Sequence, residues 1–151
     1  MRLIPIPILL FISLSLSAQY NYKDTLRIVR SGDSHCSGAG AQNIDSSWGS
    51  RFKAYLETKY GTVIESILCT GGETTRTFMP AWSYQSNSTK NVDTALNFNP
   101  DFVVMEYSGN DFVVQYMNTI ETLNNLRFLH DTLEKQGVKC AMTGMEQKKK
   151  T

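Results

Sequence analysis

The sequence of 151 residues contains no stripe of basic residues, no CxxC pair and no close cluster of histidines and cysteines. Its 15 Lys and Arg residues are scattered and nearly balanced by 14 Asp and Glu residues, so nucleic acid is not an expected partner. The absence of grouped metal ligands argues against a zinc site, and we predict that no metal is bound. Internal repeats are absent too, and a chain of this length holds at most one ordinary domain.

Charged residues are also absent from positions 3–16, a mostly apolar segment that follows Arg2. A basic start, an apolar core and small residues such as Ala18 at the end are typical of a signal peptide. We therefore predict a signal peptide over residues 1–18 and a secreted or periplasmic domain over 19–151, with no stable membrane insertion after cleavage. The alternative is an uncleaved membrane anchor, but the segment is short for a span of about 20 residues.

Apolar and β-branched runs predict four strands, and 41% of the residues are hydrophobic, which is enough for a packed core. These strands lie at 26–30, 62–68, 101–107 and 138–143. They alternate with segments of helical periodicity, so we predict an α/β fold with a parallel sheet and helices on both faces.

The helices between the strands are predicted from caps and apolar spacing. The first is predicted to start at a cap formed by Asp45 or Ser46 and to end before Gly61. A short helix is predicted at 92–96, and a long helix follows Asn118. The predicted buried faces are Trp48, Phe52, Tyr55 and Leu56 in the first helix, and Ile120, Leu123, Leu126, Leu129 and Leu133 in the long helix.

Three polar and glycine-rich clusters follow the first three predicted strands: Gly32-Asp33-Ser34, Gly71-Gly72 and Gly109-Asn110-Asp111. Ligands of parallel α/β sheets bind beyond the carboxyl ends of the strands, so Ser34 is placed where a nucleophile would be. Acyl transfer also needs donors for the oxygen that becomes negative. The candidate donors are the backbone N–H groups of Ser34 and Gly72 and the Asn110 carboxamide.

These clusters, with Gly72-Glu73-Thr74-Thr75 as the second, resemble the first three signature blocks of the SGNH (GDSL-type) hydrolases. The resemblance implies a flavodoxin-like three-layer sandwich with strand order 2-1-3-4-5. It implies Ser34 as the nucleophile, and an oxyanion hole formed by Ser34, Gly72 and Asn110. Members typically hydrolyse esters, often acetyl or acyl groups on carbohydrates and lipids, so the expected partner is a small-molecule or glycan ester, with no cofactor.

The sequence departs from the family pattern in several places. His35 replaces the usual Leu or Ile after the first block, Ser108 replaces the first Gly of the third, and Ile67 replaces the Asn of the second. The fourth block, Asp-x-x-His, which carries the general base, does not occur. We therefore expect a domain that is truncated at its C-terminus, with strand order 2-1-3-4 and the fifth strand missing.

The remaining site residues are predicted to have supporting roles. Gly32, Asp33 and Asp111 are expected to fix the rim rather than to carry protons. His35 is expected to line the pocket or cap the helix, since adjacent side chains on a tight turn rarely face each other. The other histidine, His130, lies inside the long helix and far from the rim.

Several alternatives stay open. A dinucleotide-binding loop is disfavoured because Asn43 occupies the place of the third glycine, and an α/β-hydrolase elbow because Cys36 occupies the place of its last glycine. Two further alternatives to an esterase are a non-catalytic remnant that binds an acylated glycan and an O-acyltransferase that uses the same serine. Export permits disulfides, and Cys36 and Cys69 each follow a strand, but the sequence does not decide how they pair with each other or with Cys140.

Overall fold

The computed structural model describes residues 25–107 and 109–143. The predicted signal peptide and the lysine-rich end of the chain lie outside these residues. The secondary-structure elements in chain order are β1 (Thr25–Gly32), α1 (Trp48–Tyr60), β2 (Thr62–Cys69), α2 (Val92–Asn97), β3 (Phe102–Glu106), α3 (Gly109–Val113), α4 (Thr119–Lys135) and β4 (Lys139–Thr143).

In the described part of the chain the strands form one four-stranded parallel sheet in the order β2-β1-β3-β4. This confirms the predicted α/β fold and the predicted strand order. Strand β1 pairs with β2 on one side and with β3 on the other, so Gly32 lies opposite both Cys69 and Glu106. The carboxyl ends of three strands, and the polar clusters that follow them, therefore meet at one edge, which we call the rim.

Each face of the sheet has its own apolar core, as alternation along the strands requires. On one face Ile28 and Val63 pack with Leu56 of α1. On the other face Val29 packs in a larger cluster that includes Phe78, Val92, Val103, Met105, Leu129 and Leu133. Helix α1 therefore covers one face, and α2 and α4 cover the other, which gives the predicted three layers.

The start of α1 differs from the prediction. Asn43 caps a short 3-10 helix at Ile44–Ser46, and Ser47 then caps α1, its hydroxyl accepting the Ser50 N–H. The predicted caps at Asp45 and Ser46 were wrong because this extra turn uses both residues. The predicted burial of Tyr55 was also wrong, since 57% of this residue is exposed.

Helix α4 begins after Asn118 as predicted, and the Asn118 side chain accepts the Glu121 N–H at 2.9 Å. The predicted apolar stripe is only half buried. Leu129 and Leu133 are fully buried, whereas Ile120 in the first turn is 72% exposed. The spacing of apolar residues identified one face of the helix, but the sheet and loops cover only the later turns of that face.

Two further observations concern cysteines and membranes. Cys36 and Cys69 form a disulfide, with their Cα atoms 5.4 Å apart, while Cys140 is a half-buried free thiol. This answers the pairing question that the sequence left open. Among the described residues, no helix combines the length and the apolar character needed to span a bilayer.

Candidate active site

Ser34 reaches the rim through a tightly packed strand end. The Asp33 N–H donates to the carbonyl oxygen of Glu106 at 3.2 Å, which extends the pairing of β1 with β3 by one residue. A Cβ atom on Gly32 would lie 2.4 Å from that same oxygen, so only glycine fits there. Ser34 follows as a half-buried residue.

The loop after Ser34 is held by a network of short hydrogen bonds. The carbonyl oxygen of Ser34 accepts from the Ala39 N–H and from the Ser37 hydroxyl, both at 2.8 Å. The carboxylate of Asp33, which is almost fully buried, accepts the His35 N–H at 2.8 Å. A carboxylate that binds the backbone two residues ahead closes a turn. Asp33 thus fixes the conformation of the backbone on both sides of Ser34.

The second cluster lies directly beside the first. The Thr70 N–H donates to the Gly32 carbonyl oxygen at 3.0 Å, and a Cβ on Gly71 would be 3.8 Å from the Cβ of Ser34. Gly72 has a φ of +83°, a left-handed conformation that residues with a Cβ rarely adopt. The glycine pair thus brings bare backbone to the side of Ser34, as an oxyanion site requires.

The third cluster is attached to the second by side-chain hydrogen bonds. The Asn110 amide donates to the Glu73 carbonyl oxygen at 3.1 Å. Asp111 is fully buried, and its carboxylate accepts the Thr75 N–H at 2.7 Å and the Thr75 hydroxyl at 2.8 Å. Asp111 therefore fixes the distance between the loops that carry Gly72 and Asn110. The structure brings all seven predicted site residues to this rim.

Glu106 is a rim residue that sequence reasoning missed. It ends β3, and its carboxylate accepts the Trp48 indole N–H at 2.9 Å. Burial raises the pKa of Glu106, and the nearby charge of Asp33 raises it further, against the lowering effect of the indole hydrogen bond. The sequence signal that could have identified Glu106 as a rim residue is its position at the end of a strand, just before a polar cluster.

Arg30 is a second missed residue, and it lies buried below the nucleophile loop. Its guanidinium pairs with Glu65 at 3.0 Å, donates to the Cys36 carbonyl oxygen, and lies over the Trp48 ring at 5.4 Å from the centroid. A Cβ on Gly49 would be 1.8 Å from the guanidinium, so the first turn of α1 needs glycine there. This charged cluster ties β1, β2 and α1 together.

Neither histidine side chain makes a hydrogen bond to the Ser34 hydroxyl within the described residues. The His35 side chain is half exposed, and its Nδ1 lies 3.5 Å from the Asp33 carboxylate. The helix caps after it are formed by Asn43 and Ser47 instead. His130 lies in α4 beside Asp131 and Glu134, whose ligand atoms and its own lie within 4.8 Å of one another. That trio is largely exposed and remote in the chain from the rim. In the described part of the chain, the Ser34 hydroxyl has no hydrogen-bond partner.

The segment between β2 and α2 contributes side chains of several kinds. Phe78 is fully buried and stacks on Tyr107, whereas Trp82 is exposed and touches the edge of Phe128. Asn87, which begins a glycosylation sequon, donates from its side-chain amide to the buried Glu73 carboxylate at 2.7 Å. The Asn87 side chain therefore has a structural role in this segment, and glycosylation would disturb its bond to Glu73.

The sequence and the fold were compared with those of known proteins. No family model matches the sequence, and no curated protein matches it. Among solved structures, the psychrotrophic esterase EstA from Pseudoalteromonas sp. superposes with a TM-score of 0.57 at 17% identity, over 77% of this chain and 57% of that chain. AlinE4, an SGNH-hydrolase family esterase, gives 0.62 at 18% identity over 80% and 59%.

A two-domain esterase active on acetylated mannans, CEX, superposes with a TM-score of 0.56 at 16% identity, over 80% of this chain and 30% of that chain. The chain thus spans less than two thirds of each of these three structures. At these identities the likeness concerns the fold, and this chain has the fold of SGNH-type esterases.

Proposed function

We propose that this chain carries the nucleophile and the oxyanion hole of an exported serine ester hydrolase. The single observation that carries the proposal is the convergence of Ser34, the Gly71-Gly72 backbone and Asn110 at one rim of the sheet. The fold shared with esterases supports the same reaction class. The apolar segment at positions 3–16 supports a secreted or periplasmic location.

In the proposed reaction the Ser34 hydroxyl attacks the carbonyl carbon of an ester, and its proton passes to a base. The carbonyl oxygen becomes negative and accepts hydrogen bonds from the N–H groups of Ser34 and Gly72 and from the Asn110 amide. One amide hydrogen of Asn110 is already used by Glu73, which orients the group and leaves the other for the substrate. The alcohol then leaves, and water hydrolyses the acyl-enzyme.

The base is the part of this mechanism that the described residues do not provide. Removal of the serine proton in family members depends on the histidine of an Asp-x-x-His block, and this sequence contains no such block. We therefore propose that the chain by itself turns over esters slowly. We further propose acyl esters of carbohydrates or lipids as substrates, which the activity of CEX on acetylated mannans supports.

A phosphonate probe tests the nucleophile without requiring turnover. The full chain is incubated with a fluorophosphonate, and the modified residue is identified by peptide mass spectrometry. Because the described residues supply oxyanion donors but no base, we expect slow but selective labelling of Ser34, loss of labelling in Ser34→Ala, and still slower labelling in Asn110→Ala. Ser88→Ala is a control, because Ser88 is an exposed serine outside the three rim clusters. Labelling spread equally over surface serines, or none at all, would contradict an activated Ser34.

A non-catalytic remnant that binds an acylated glycan is the second candidate, and one observation favours it. The Ser34 hydroxyl makes no hydrogen bond to either histidine in the described part of the chain. Hydrolysis of p-nitrophenyl acetate separates the two functions. Efficient turnover that Ser34→Ala abolishes would show that a base is present, and His35→Ala and His130→Ala would then identify it. Binding of an acetylated oligosaccharide without turnover would support the remnant.

A further inference from the structure

A cavity of about 360 Å³ opens between the segment that follows Thr75 and the first turns of α4. Its walls include Arg76, Tyr84, Gln85, Glu121 and Asn125. The proposed mechanism uses none of these residues. A volume of this size admits one or two sugar rings but not a long polymer within the cavity itself.

The charges in this cavity cancel. The Arg76 guanidinium donates to the Glu121 carboxylate at 2.7 Å through Nε, and to the Gln115 side-chain oxygen at 3.2 Å. An ion pair inside the wall leaves no net charge to attract a phosphate, a carboxylate or a cation. The cavity is therefore suited to a neutral ligand.

The polar groups that remain are a mixture of donors and acceptors. Gln85 uses its side-chain oxygen to accept from Arg76, which leaves its NH₂ group for a ligand. Asn125 uses its NH₂ group to donate to the Thr75 hydroxyl at 3.0 Å, which leaves its oxygen as an acceptor. The Tyr84 hydroxyl serves as either. Sugar hydroxyls both donate and accept, so they match such a set.

Two further features of the wall favour a ring-shaped ligand. Tyr84 is 88% exposed and offers an aromatic face, against which the C–H face of a pyranose ring packs. Gln85 has a φ of +70°, a left-handed conformation that is uncommon for a residue with a Cβ. Residues in such conformations cluster at functional sites, and here the turn places Gln85 on the cavity wall.

We infer that this cavity binds a neutral pyranose unit of a glycan. Hydrogen bonds link its wall to the rim: the Thr75 hydroxyl accepts from Asn125 and donates to the buried carboxylate of Asp111. The inference rests on the proposed function in one respect only, namely that this glycan carries the ester that Ser34 attacks. Sugar binding itself requires no ester chemistry.

The test uses the full chain labelled with ¹⁵N and titrated with cellobiose, xylobiose, mannobiose and chitobiose, with galacturonic acid as a charged probe. We expect at least one neutral disaccharide to shift the amide resonances of residues 84–85 and 121–125, and galacturonic acid to cause no shift there. Tyr84→Ala and Gln85→Gly should each weaken the binding by about tenfold, which corresponds to one well-made contact. Tyr55→Ala, another exposed tyrosine, should bind like the parent.

Gln85→Gly separates binding from folding, because glycine adopts a positive φ without strain and should leave the unfolding midpoint unchanged or higher. The inference is overturned if none of the four disaccharides shifts these resonances, or if both variants bind as the parent does. Sugar binding that persists while the phosphonate probe leaves Ser34 unlabelled would overturn the proposed function alone. Labelling of Ser34 without sugar binding would overturn this inference alone.

Discussion

Cys36 and Cys69 form a disulfide that joins the loop carrying Ser34 to the loop carrying Gly72. Cys36 lies two residues after Ser34, and Cys69 lies three residues before Gly72. Both half-cystines are buried, so the bond is shielded from solvent. The covalent link and the hydrogen bond from Thr70 to Gly32 act on the same two strand ends. The disulfide therefore serves both the stability of the sheet and the geometry of the proposed site.

Removing this disulfide should destabilise the chain. The double variant Cys36→Ala with Cys69→Ala is expected to lose about 2–4 kcal/mol of unfolding free energy, because the cross-link closes a loop of 33 residues. Urea unfolding with and without a reductant measures the effect. Cys140→Ala is the control and should lose less than about 1.5 kcal/mol, since this thiol is free. Equal losses in both variants would contradict the structural role of the bond.

Replacing Asp111 should separate the loops that carry Gly72 and Asn110. Asp111→Ala leaves the buried N–H and hydroxyl of Thr75 without their acceptor, at a cost of about 1–3 kcal/mol in unfolding free energy. Because Asn110 is the adjacent residue, phosphonate labelling of Ser34 should slow as well. The matched control is Asp131→Ala on the exposed surface of α4, for which we expect a change within about 0.5 kcal/mol. A stable, normally labelled Asp111→Ala would show that other contacts hold these loops.

Much of the fold could be predicted from local sequence because each strand is a short apolar run and each long helix is bounded by an Asn, Ser or Gly. The rim could be predicted for the same reason, since Ser34, Gly72 and Asn110 lie two to four residues after strand ends. Where an additional turn intervenes, as at Asn43, local patterns place the helix cap wrongly. The cap prediction near Asp45 failed because two capping motifs follow one another in the chain.

The burial of individual side chains was less predictable, because it depends on partners distant in sequence. The spacing of apolar residues predicted the same burial for Ile120 as for Leu129, although only Leu129 packs in the core. Arg30 lies in a strand where a charge is unexpected, and its partner Glu65 is 35 residues away. The sequence around Glu106 does not predict that its carboxylate accepts a hydrogen bond from Trp48, which lies 58 residues earlier. These contacts arise only when the topology brings the strands and α1 together.

The buried ion pair of Arg30 and Glu65 leads to a prediction about paired substitutions. Glu65→Leu alone should cost about 3–5 kcal/mol, because it leaves the guanidinium buried without its carboxylate. The double variant Arg30→Met with Glu65→Leu should recover most of this loss, since an apolar pair of similar volume needs no charge partner. Chemical denaturation of the parent, both single variants and the double variant gives the coupling energy. Additive losses would indicate that the two side chains do not depend on each other.

The strand-end carboxyl of Glu106 should make stability depend on pH. Burial raises its pKa in the folded chain above the ordinary value of 4.5, so the folded state binds the proton more tightly than the unfolded state. The tighter proton binding at Glu106 stabilises the folded state at low pH, and this stabilisation is lost as the pH rises through the folded-state pKa. Glu106→Gln keeps an acceptor for the Trp48 indole but cannot ionise. We therefore expect the unfolding free energy of the parent, relative to Glu106→Gln, to fall between pH 4 and pH 7. A constant difference between the parent and Glu106→Gln over this range would refute the raised pKa.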